Sequence, residues 1–163
     1  MFARTVRNFG RLAGFTIPIH FDAPLDAYPE LEMVDRARDA MFHLQEREPY
    51  NFRVAMGVEL LSDGLDHFSD GLLTLDRSAR IAHFKAAVLN ASSVTVWLAS
   101  DRRHLSDAIA SGEISEHVLE ALVEAGRSLT KAARNAQLEL AEVALACYQS
   151  ALEHCIAAGM LDS

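Results

Sequence analysis

Residues 57–71 read GVELLSDGLDHFSDG, a segment that nearly repeats itself and sets Gly57, Gly64 and Gly71 seven residues apart. Seven residues advance an α-helix by almost two full turns, so the three glycines form one line. Val54, Leu61, Phe68 and Leu75 share that face, and Val58, Leu65 and Leu72 lie beside it. This 3.6-residue period of apolar positions marks an amphipathic helix. Each interior glycine costs about 1 kcal/mol relative to alanine. Close approach of a neighbouring helix backbone offsets such a cost, and so does a groove that takes a flat ligand or a partner helix. Gly57, Gly64, Gly71 and Phe68 are therefore candidate packing or groove residues.

The same period continues on both sides of this segment. Pro29, a favoured first-turn residue, opens a helix whose stripe is Leu31, Val34, Met41 and Leu44, and Pro49 ends it. Asn51 is placed to cap the glycine-bearing helix. Asp76 caps a third helix over 77–101, and a short helix follows over 104–110, stopped at Gly112. Ser115 caps a helix over 116–125. Gly126 then interrupts, and Ser128 caps the last and longest helix, which runs to about residue 158. No segment alternates as a strand does. The expectation is an all-α helical bundle of four main helices, with an N-terminal arm and short helices. Its parts are a basic arm over 1–28, a short amphipathic helix and then an extended segment, and a bundle domain over 29–163. The uncharged run Ala86–Ser100 reads as the most buried helix, and the core is expected from the second, third and last helices.

Composition narrows the functional classes. Half of the 163 residues are apolar and 23% are charged, as in globular domains. No apolar run is long enough to cross a membrane, and no cleavable leader is evident. Cys147 and Cys155 are eight apart on one helix, about 12 Å, too far for a disulfide. Free thiols suit a reducing cytoplasm. The net charge is −8, which disfavours nucleic acid as a partner. Arg4, Arg7 and Arg11 stand in residues 1–20 without any acid, so the rest of the chain carries −11. With Phe2 and Phe9 they make a candidate interaction arm, able to dock on a partner or to contact a membrane or granule surface.

Chemistry-bearing patterns are sparse. Di-iron carboxylate bundles need Glu-x-x-His on two helices, and only Asp101-Arg102-Arg103-His104 approaches half of that. No two histidines lie one turn apart, as paired metal ligands on one helix require. His67 has Asp63 and Asp70 on its own face, within an acidic stripe (Glu59, Asp63, Asp66, Asp70) opposite the glycines. His67, Asp63, Asp70 and His104 are thus the candidate ligand or metal residues, and no cofactor is expected. No glycine-rich phosphate loop or nucleophile elbow is present. The sequence points to a non-catalytic interaction or assembly module, working as a homo-oligomer or with a protein partner. A cofactor-binding helical sensor and a surface-associated amphipathic protein are the alternatives.

Overall fold

The computed structural model describes residues 32–47, 52–98 and 102–161. Six α-helices occupy them: α1 Val34–Arg47, α2 Phe52–Leu73, α3 Arg77–Leu98, α4 Arg102–Ala110, α5 Glu116–Gln137 and α6 Ala141–Leu161. The described residues contain no strand, so the all-α bundle is the observed architecture. None of these helices is long and apolar enough to cross a membrane. The N-terminal arm with Phe2, Arg4, Arg7, Phe9 and Arg11, and the expected starts at Pro29 and Asn51, lie outside the described residues.

Two antiparallel helical hairpins make the body. The α2–α3 pair turns at residues 74–76, where Asp76 caps α3 by accepting the Ala79 N–H at 2.8 Å. The α5–α6 pair turns at residues 138–140. Helix α3 packs between α2 and α5, and α5 packs along α6. Tyr148 of α6 closes the ring by stacking on Phe68 of α2, centroid to centroid 4.3 Å. Helix α1 lies against α6 and α2.

One boundary differs from the sequence expectation. Gly126 does not end a helix: α5 runs through it to Gln137, and Ser128, expected as a cap, sits inside the helix facing Ser150. A Cβ on Gly126 would stand 3.1 Å from Val94 Cβ, so this glycine serves the approach of α3. The real break is at Leu138–Leu140. There Leu140 N–H donates to Asn135 O and Glu139 N–H to Ala136 O, the paired bonds of a Schellman turn. Glu139 holds the left-handed position at φ 59°, where glycine is usual. The same two bonds, with Gly112 at φ 79°, end α4.

The α2 glycines lie under side chains of the neighbouring helices. A Cβ on Gly57 would meet Leu98 at 2.7 Å, one on Gly64 would meet Leu129 at 3.0 Å, and one on Gly71 would meet Phe84 at 2.6 Å. These side chains fill the space over the line, which leaves no groove for a flat ligand along it. Leu75, expected on this face, falls in the turn and is exposed.

The second correction concerns α3. Ala86–Ser100 reads as the most buried helix, yet α3 buries only Phe84, Ala87, Ala91, Val94 and Leu98, one strip facing α2 and α5. Its outer side has no covering helix among the described residues. Leu89 is 69% exposed and Val96 62%. As expected α2 lines the core, and α5 lines it as fully, in place of much of α3.

Candidate functional site

The outer side of the α2–α3–α5 layer combines three strips. The central strip is α3, where Ala82, Leu89 and Val96 recur every seven residues and are all exposed. Seven-residue spacing keeps them on one line, and Ser92 and Ser93 between them bond back to Leu89 O, which removes their hydroxyls from the surface chemistry. The result is a short line of exposed apolar side chains, with the exposed Lys85 between Ala82 and Leu89.

The strip on one flank is acidic. Glu59, Asp63 and Asp70 of α2 are exposed and form no ion pair among the described residues. Asp66, the fourth member of the stripe, turns toward α1 and takes Arg38, whose Nε donates to Oδ1 at 2.8 Å. The strip on the other flank is basic: Arg127, Lys131 and Arg134 stand at i, i+4 and i+7 on α5. Arg127 pairs with Glu124 at 2.6 Å, whereas Lys131 and Arg134 have no acidic partner among the described residues. They line a shallow groove of about 380 Å³ against Thr95 and Val96 of α3.

The two charged strips stand at the same height along α3. Gly57 and Gly71 meet Leu98 and Phe84, so the acids, on the opposite face of α2, stand at the height of positions 84–98 of α3. Gly126 meets Val94, and Glu139 reaches Arg80, so the cations lie beside positions 80–94. The basic row sits at helical spacing in the sequence, but a helix broken at Gly126 hides it.

The candidate ligand residues divide. His67 meets His83 of α3, Nδ1 to Nδ1 at 3.4 Å, with ring centroids 5.7 Å apart and the planes tilted by 38°. Both rings are half-buried. His83 has no acid or histidine one turn away, so spacing along one helix could not reveal the pair. The signal lay in the hairpin: residues 67 and 83 are equidistant from the turn at Leu75, which sets them opposite each other. Asp63 and Asp70 remain on the solvent side of α2 and do not join the histidines in a cluster. His104 belongs to α4, and its side-chain surroundings lie outside the described residues. Among the described residues no group of three or more His, Cys, Asp or Glu side chains is placed to hold a metal ion.

Two buried groups have perturbed acidities without a catalytic setting. Burial pushes the Cys155 thiol up to about 12. Burial likewise holds the Tyr148 phenol well above its usual range, and its hydroxyl stands 2.6 Å from that of Ser69. Ser69 donates to Leu65 O, so Tyr148 is the donor to Ser69. Both groups lie inside the core, where they act in packing. Cys147 is half-buried and, like Cys155, a free thiol.

Comparison with protein families, with curated proteins and with solved structures found no match to this chain.

Proposed function

We propose that this chain is a non-catalytic assembly module that pairs with a second copy of itself through the outer side of α3. One observation carries the reading: Ala82, Leu89 and Val96, exposed every seven residues along α3, lie between an acidic and a basic row of equal height. A two-fold axis parallel to α3 would set the two seams side by side. It would also place the α2 acids of each copy opposite the α5 cations of the other. Because both rows flank the same stretch of α3, no sliding is needed for the charges to meet. An isologous interface requires this kind of self-complementarity. An axis perpendicular to the helices would set acid against acid and is disfavoured electrostatically.

Apolar burial supplies the attraction, roughly 25 cal/mol per Å² removed from water. The charge rows supply register and orientation more than affinity. The assembly is therefore expected to weaken with salt without vanishing, since exposed charges are screened over about 8 Å at physiological ionic strength.

Sedimentation velocity and native mass spectrometry test the proposal. The full chain should be a dimer, and Leu89→Asp with Val96→Asp should be a monomer of unchanged helicity. Lys131→Glu with Arg134→Glu should weaken the dimer, and adding Asp63→Arg with Asp70→Arg in the same chain should restore it. A wild-type chain that stays monomeric at all accessible concentrations sinks the idea. So does a dimer indifferent to all of these changes.

A further inference from the structure

We propose that His67 and His83 form a two-point chelate for a divalent transition-metal ion. A 3.4 Å separation is long for a hydrogen bond between two ring nitrogens. It matches another geometry better. Two nitrogens bound to one tetrahedral ion at about 2.0–2.1 Å stand roughly 3.3–3.4 Å apart. The two helices hold this spacing rigidly, because Gly71 against Phe84 and Gly64 against Asn90 fix the α2–α3 register on either side of the histidines. The rings are half-buried, so their backbone frame is fixed while one side stays open to solvent.

An ion bound to both Nδ1 atoms takes their lone pairs while each ring keeps its proton on Nε2, so a ring that carries its proton on Nδ1 shifts it to Nε2 and no net proton is released. Two protein ligands leave the remaining positions to water, which makes the site exchangeable and not structural. Asp63 and Asp70, one turn before and after His67, stand on the solvent side of the same helix and add negative charge at longer range, which favours a dication. Imidazole ligands select zinc, copper or nickel over magnesium or calcium. The chelate lies within one chain and does not depend on the dimer.

Calorimetric titration of the full chain with Zn²⁺, and with Ni²⁺ as a second probe, tests this. One equivalent should bind saturably. His67→Gln and His83→Gln, each confirmed folded by circular dichroism, should each weaken binding by about tenfold or more, equivalent to about 1.4 kcal/mol. His117→Gln, at an exposed site on α5, should leave it unchanged. Nitrogen-15 NMR of the imidazoles should show the Nδ1 resonances of both histidines moving on metal addition. Titration should be unaltered in the Leu89→Asp, Val96→Asp chain. Absence of saturable binding, wild-type binding by either histidine variant, or loss in the His117 or seam variants would overturn the chelate.

Discussion

Replacing each α2 glycine by alanine should give opposite signs at two positions that look equivalent in the sequence. Alanine in a helix interior gains about 1 kcal/mol over glycine. Overpacking a filled site costs about 1–3 kcal/mol. At Gly64 the new Cβ meets the tip of the Leu129 side chain at 3.0 Å, then nothing closer than 3.6 Å. A leucine methyl yields a few tenths of an ångström through its own torsions, so the propensity gain wins. Gly64→Ala should be neutral to about 1 kcal/mol more stable. At Gly71 the new Cβ meets three atoms of the Phe84 ring, at 2.6, 2.9 and 3.1 Å. That ring is 1% exposed and packed on Phe68 at 5.2 Å, so it has nowhere to swing. Gly71→Ala should lose about 1–2 kcal/mol net of the helix gain. Gly64→Leu asks the same site for three further carbons and should cost more than about 2 kcal/mol. Urea unfolding followed by far-UV circular dichroism reads all three against wild type. Equal stabilisation by Gly64→Ala and Gly71→Ala would refute the packing argument, because it would mean the Phe84 ring moves freely.

Cys147 should react with a thiol reagent in the native protein, and Cys155, fully buried, only on unfolding; native labelling of both would mean that α6 opens readily. Stability should fall in alkali. The folded Cys155 keeps its proton to about pH 12 and the unfolded thiol ionises near 9.0, and Tyr148 is shifted in the same direction, so the contribution is complete below pH 9 and lost above it. Each pH unit in that window removes up to about 1.4 kcal/mol per group; Cys155→Ala should flatten part of the fall in midpoint. At Glu139, glycine relieves left-handed strain of about 1 kcal/mol while losing exposed ion pairs of smaller worth, so Glu139→Gly should be neutral or slightly stabilising and Glu139→Val clearly destabilising by thermal melts.

The local rules that worked are those whose physics is local. Asp76 and Ser115 cap because a short side-chain oxygen before an apolar run satisfies an orphan N–H, and both do so. Gly112 ends α4 because only its left-handed backbone was required there. Gly126 failed by the same rule, since a glycine serves equally to stop a helix and to admit a neighbour, and tertiary contact with Val94 decided between them. Glu139 was illegible for the converse reason: a residue with no turn preference was forced into the left-handed position by the packing of α5 on α6. The acidic row was visible, but the basic row and the His67–His83 contact depended on an uninterrupted α5 and on the hairpin register. Composition made α3 look buried, because an apolar seam and a core strip have the same letters until the neighbours are placed.

Helix α1 rests on the bundle through a contact of unusual closeness. A Cβ on Gly159 would stand 2.6 Å from Ala40 Cβ and 3.0 Å from its Cα. The two hairpins turn through three residues each, so most of their contacts are close in sequence and should form early in folding. The Ala40–Gly159 contact joins residues 119 apart in sequence and closes a long loop, which places it last on the way in and first on the way out. Hydrogen exchange should therefore find α1 opening at lower free energy than the hairpins, and the amide protection of the α6 C-terminus should follow it.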